Sequence, residues 1–122
     1  MFDFGASSIT LNNVLLGDGV TLYLGGGSSG AITVASITGT AGGSSSNVVI
    51  NTTGAVNITG AVGTDIGTVT ITNSGGTTFG GTVTASTITL TNTTGTVAFN
   101  DVLTASTINT ATQAYNVAIN AS

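Results

Sequence analysis

Five consecutive residues of this chain occur twice. Thr84-Ala85-Ser86-Thr87-Ile88 returns 20 residues later as Thr104-Ala105-Ser106-Thr107-Ile108. Val97-Ala98-Phe99-Asn100 matches Val117-Ala118-Ile119-Asn120 at the same offset of 20. Apolar anchors recur with these runs. One series is Ile58, Phe79, Phe99 and Ile119; a second is Val62, Val83 and Leu103. A third holds Val69 and Ile71, then Ile88 and Leu90, then Ile108. Corner chemistry also repeats: Asn51-Thr52-Thr53-Gly54 and Asn92-Thr93-Thr94-Gly95 lie two periods apart, with Asn73-Ser74-Gly75-Gly76 between them. A fixed period means a stack of like units, each too small to bury its apolar face alone.

Inside each period, apolar and polar residues alternate. Thr68-Val69-Thr70-Ile71-Thr72 and Thr87-Ile88-Thr89-Leu90-Thr91 are the clearest runs. Alternation at period 2 sends Val, Ile and Leu to one face of a strand and Thr to the other. Gly, Asn and Ser bound these runs and supply the turns. No stretch shows the 3.6-residue periodicity of an amphipathic helix, so the chain is expected to be all-β.

A period near 20 holds about three short strands and tight corners, too little for a propeller blade and without room for the helix of a leucine-rich repeat. It suits one coil of a parallel β-solenoid, in which equivalent strands of successive coils pair. With a rise of about 4.8 Å per coil, about six coils make a rod roughly 30 Å long. Phe79 is expected to stack on Phe99, Val62 on Val83 and Leu103, Ile88 on Ile108, and Val97 on Val117. Ala85, Ala105, Gly60 and Gly81 are expected to fill the narrow interior or turn corners. An antiparallel sandwich of short strands is the competing topology, and the matched offsets weigh against it.

The first 50 residues are less regular. Ile9-Thr10-Leu11, Val20-Thr21-Leu22 and Ile32-Thr33-Val34 have strand character but do not fall on the 20-residue register. Gly-rich stretches at 25–30 and 39–46 are expected to bulge as loops, and residues 1–16 to form a first coil or a cap. Residues 1–122 form one domain.

Composition fits this picture and excludes much else. The chain has no Lys, Arg, His, Pro, Cys or Trp, and a formal net charge of −4. Without Pro, every backbone donor remains available to the ladders. With few charges, like charges do not stack in successive coils. Disorder is not expected, because β-branched and aromatic residues occur in every region. No cation is available to attract nucleic-acid phosphate or an anionic membrane surface. No apolar run approaches the roughly 20 residues of a membrane helix. No segment has the positive and apolar regions of a signal peptide.

Catalytic residues are not expected. His, Lys, Arg and Cys supply most bases, nucleophiles and cationic stabilisers, and none is present. The four carboxylates, Asp3, Asp18, Asp65 and Asp101, are not brought together by the register. No metal site is expected, since calcium-binding solenoids repeat an Asp in every unit. No cofactor is expected either. Gly25-Gly-Gly-Ser-Ser-Gly30 fits G-x-G-x-x-G in form, but a strand-like run follows it where a dinucleotide site needs a helix. Asp18, between Gly17 and Gly19, fits a turn. Asn51, Asn57, Asn92 and Asn120 begin N-x-S/T sequons; corner Asn tolerates left-handed backbone and can stack as an amide ladder.

The runs 54–62, 78–86 and 96–106 resemble the repeats of large bacterial surface proteins: β-strand-repeat, autotransporter-passenger and filamentous-haemagglutinin-like regions. The resemblance implies an exported β-helix at the cell surface that builds a stalk, an adhesive segment or a filament, with a receptor of unknown identity. Val117-Ala118-Ile119-Asn120 restarts the repeat with no charged or Pro-bearing cap, so self-assembly head to tail is expected, with the chain itself as partner. A second expectation concerns the threonines. Thr68, Thr70 and Thr72 should lie beside Thr87, Thr89 and Thr91, giving a Thr-x-Thr array of the kind that orders water and binds ice. The next coil reads Thr107, Asn109, Ala111, so this array is expected to break.

Overall fold

Val83, an inward residue of the repeat, lies directly between Val62 and Leu103 in parallel strands. The structure, a computed structural model, describes residues 1–121 and shows this arrangement throughout. The chain is an all-β parallel solenoid.

The first coil contains β1 (Ile9–Leu15) and β2 (Thr21–Leu24), and the second β3 (Ile32–Thr38) and β4 (Ser46–Asn51). The third contains β5 (Val56–Ile58), β6 (Val62–Gly63) and β7 (Ile66–Asn73). The fourth contains β8 (Thr77–Phe79) and β9 (Val83–Leu90), and the fifth β10 (Gly95–Phe99) and β11 (Leu103–Asn109). β12 (Tyr115–Ile119) opens a sixth.

These strands form three columns. In the first, Ile9, Ile32, Val56, Thr77, Val97 and Val117 stand in one row. Leu11, Val34, Ile58, Phe79, Phe99 and Ile119 form the row beside it. The second column stacks Val14, Ile37, Val62, Val83 and Leu103. The third stacks Leu22, Val48, Val69, Ile88 and Ile108, with Leu24, Ile50, Ile71 and Leu90 alongside. β3 and β9 each run through two columns, which joins the strands into one sheet. Rows from all three columns meet in a single apolar core.

The irregular start now has a cause. Along the row from Ile9 to Val117 the coils measure 23, 24, 21, 20 and 20 residues. The corner between the second and third columns absorbs much of the excess. It takes residues 16–20 in the first coil, 39–45 in the second and only 64–65 in the third. In the fourth and fifth coils β9 and β11 pass through it without a break. The Gly-rich stretches at 25–30 and 39–46 lie outside the strands, except Ser46, which opens β4.

The interior is tight at the corners. A Cβ on Gly81 would lie 2.5 Å from the carbonyl carbon of Gly60 in the coil beneath, and backbone cannot yield there as a flexible side chain could. Gly81 is therefore fixed by close approach and not by its own dihedral.

Corner Asn residues tolerate left-handed backbone but do not use it; that conformation is taken by glycines and by Thr64 and Asp65. An amide ladder does form between Asn120 Nδ2 and Asn100 Oδ1 at 2.7 Å. One expectation needs correction: Ile108, Val117 and Ile119 keep their places in the rows but are exposed, and Leu103 is only half-buried. Each belongs to the last strand of its column among the described residues, with no strand of that column beyond it.

Candidate functional site

The corner between the third and first columns buries hydroxyls rather than hydrocarbon. Thr52, Ser74, Thr77 and Thr93 are buried. Thr52 Oγ1 donates to the carbonyl of Gly30 at 2.6 Å. Ser74 and Thr93 share a short hydroxyl–hydroxyl hydrogen bond, and Thr77 Oγ1 donates to Ser74 Oγ at 2.9 Å. Every hydroxyl in this cluster has a partner, so the polar column is a structural element of the corner.

The threonine face lies on the outside of the third column. Thr68 stands beside Thr87, and Thr70 beside Thr89. The first row continues to Thr107. The second is bounded by Val49 on one side and by Asn109 on the other, with Asn109 Nδ2 donating to Thr89 Oγ1 at 3.4 Å. Thr91 turns its hydroxyl to the backbone, donating to the carbonyls of Ile71 at 2.9 Å and Thr72 at 3.2 Å. The array of Thr68, Thr70, Thr72, Thr87, Thr89 and Thr91 is therefore narrow, and one of its outer hydroxyls is already engaged.

A surface groove of about 400 Å³ follows the corner between the second and third columns. The repeated Thr-Ala-Ser lines it, from Thr84, Ala85 and Ser86 in the fourth coil and Thr104, Ala105 and Ser106 in the fifth. Asp65 stands at its head. Its Oδ1 accepts from Ser45 Oγ at 3.0 Å, while Oδ2 is buried without a partner. The groove offers one carboxylate and several hydroxyls. It brings together neither a second acid nor a nucleophile with its base. Among the described residues no three His, Cys, Asp or Glu side chains cluster around a common point.

The two ends of the stack differ from its middle. The exposed large apolar side chains are Met1, Phe2, Phe4, Leu15, Val20, Tyr23, Val102, Ile108, Val117 and Ile119. Among the described residues, none lies between Tyr23 and Val102. At one end, β1 has no strand outside it among the described residues, and Leu11 and Val14 are half-buried. Phe2 forms a single parallel bridge to Leu24, its N–H donating to the Tyr23 carbonyl at 3.0 Å. At the other end, β11 and β12 present open edges, with Ile108 and Ile119 uncovered.

The expected stacking residues Ile58, Val62, Val69, Ile71, Phe79, Val83, Ile88, Leu90, Val97 and Phe99 are all buried. Neither the buried hydroxyl column nor the groove follows from the sequence pattern. Thr and Ser at corners resemble ordinary turn residues, and only the coil geometry shows which of them point inward. No family model, curated protein or solved structure matches the chain.

Proposed function

We propose that this protein is a non-enzymatic structural subunit, a β-solenoid that stacks on further copies of itself head to tail, forming a filament or a surface stalk that can carry adhesion. One observation carries the reading: exposed large apolar side chains occur at the two ends of the coil stack and not along its middle coils. Uncovered apolar surface of this kind marks an interaction site. Both ends also present unpaired backbone edges, which recruit strands. A contact between unlike ends is heterologous and propagates. The extracellular setting rests on the resemblance of residues 54–120 to bacterial surface repeats.

Sedimentation velocity over a concentration series, with electron microscopy of the same samples, tests this reading. Assemblies that lengthen with concentration are expected. A uniform monomer at the highest attainable concentration would overturn it.

A second reading, ice binding, is supported by the adjacent Thr68–Thr87 and Thr70–Thr89 pairs. Thermal hysteresis and ice-crystal shaping test it. Their absence at high protein concentration removes it.

A further inference from the structure

We infer that the head-to-tail junction has one register, in which β12 of one copy pairs in parallel with β1 of the next, placing Val117 on Ile9, Ala118 on Thr10 and Ile119 on Leu11. The inference rests on the end-to-end stacking proposed above and specifies its contact.

The register follows from the columns. Ile9 and Val117 stand in one row, and Leu11 and Ile119 in the row beside it. Setting β1 of a second copy one rise beyond β12 continues both rows across the junction. Inward residues then meet inward residues, and outward Thr10 meets outward Ala118. A one-residue slip would turn every inward side chain outward. Ile119, 58% exposed, becomes covered by the next copy's first coil.

The third column fixes the same phase independently. Phe2 bridges Leu24 from outside, so it marks the third column one coil before β2. When β1 of the second copy lies on β12, its Phe2, in the row of Leu24 and Leu90, comes down one rise beyond position 110, just past the end of β11. The first and third columns therefore keep the same phase, at one rise each. The second column does not: β11 at Leu103–Ala105 and β1 at Val14–Leu15 stand two rises apart. Closing that column directly would drive β1 into the place of β12. The chemistry of the two edges is compatible, since β1, β11 and β12 carry no charged side chain. The subunit repeat is six coils, roughly 29 Å at the rise of paired strands.

The absence of Cys makes the junction directly testable. Residues paired across one rise have Cα atoms about 4.8 Å apart, within the roughly 4.4–6.8 Å that a disulfide spans. The double variant Thr10→Cys/Ala118→Cys, oxidised mildly, is expected to give a ladder of covalent multimers on a non-reducing gel. The double variant Leu15→Cys/Thr104→Cys places its thiols two rises apart, about 9.6 Å, and is expected to remain uncrosslinked. Ala118→Cys alone is expected to give only the single-chain band on the same non-reducing gel.

Crosslinking through Leu15→Cys/Thr104→Cys without the other ladder would overturn the register. Dimers from Ala118→Cys alone would overturn it in favour of a tail-to-tail pair. If the unsubstituted protein assembles but the Thr10–Ala118 ladder is absent, the register fails while stacking survives. If nothing assembles at any concentration, the stacking itself fails.

Discussion

The rings of Phe79 and Phe99 lie one over the other, with centroids 5.0 Å apart and planes 4° from parallel. That spacing is close to the strand separation of about 4.8 Å, so the backbone ladder sets the distance between the rings. Both side chains are almost wholly buried. Phe79 has packed coils on either side, whereas above Phe99 stands only the exposed Ile119. Phe79→Ala is therefore expected to lower the unfolding free energy by about 3–5 kcal/mol, and Phe99→Ala by less. Urea titration of both variants gives the comparison. Equal losses would mean that the last strand supports the core as fully as an interior one.

The hydroxyl cluster makes a different prediction. Ser74 Oγ accepts from Thr77 and shares a hydrogen bond with Thr93, all inside the core boundary. Ser74→Ala leaves the buried Thr77 hydroxyl without a partner, while Thr93 still donates to the Ser74 carbonyl, and should cost about 1–3 kcal/mol. Thr77→Val added to Ser74→Ala should cost less than the two separate losses, because the orphaned hydroxyl is then gone. A double-mutant cycle by thermal or urea unfolding measures the difference.

Thr64 and Asp65 hold left-handed backbone, with φ of 50° and 58°. For a β-branched residue such as Thr64 this conformation is strained, at a cost of order 1 kcal/mol or more. Thr64→Gly should relieve it, and a gain of about 1 kcal/mol is expected after the entropy of the added glycine is counted. A fall in the unfolding midpoint would show that Thr64 contributes more through its side chain than the backbone strain removes.

Ile119 separates stability from assembly. Its side chain lies 58% exposed on the open edge, so Ile119→Lys should change monomer stability by no more than about 0.5 kcal/mol. A lysine on an edge blocks strand addition. The proposed head-to-tail assembly should then be lost while the unfolding midpoint stays constant, as sedimentation and urea titration together would show. Unimpaired assembly of Ile119→Lys would exclude this edge from the junction.

Much of the architecture was legible in the second half of the chain. The offsets of 20 and 21 among Ile58, Phe79, Phe99 and Ile119 are the register itself. The first half hid it because its corners vary in length, and a period search fails when seven residues intervene at 39–45 and only two at 64–65. Exposure was not legible from periodicity: Ile108 and Ile88 occupy the same row, yet one is exposed and the other fully buried. A repeat encodes where a side chain points, and the neighbouring coil decides whether it meets water. Inward corner residues were hidden for a related reason. Thr93 sits in an Asn-Thr-Thr-Gly run that satisfies every rule for a solvated turn, and its burial comes from Ser74 one coil below.

Each ladder partner in this rod lies one coil away along the chain, between 19 and 26 residues. Loop-closure entropy rises only slowly with length, so adding one coil costs nearly the same as adding any other. No contact depends on bringing distant parts of the chain together. Folding can begin in the regular coils around Phe79 and spread in both directions, each completed coil templating its neighbour. Amide hydrogen exchange should then be slowest in the third and fourth coils and quicken stepwise toward β1 and β12, so that the molecule frays from its ends as a stack of plates loosens.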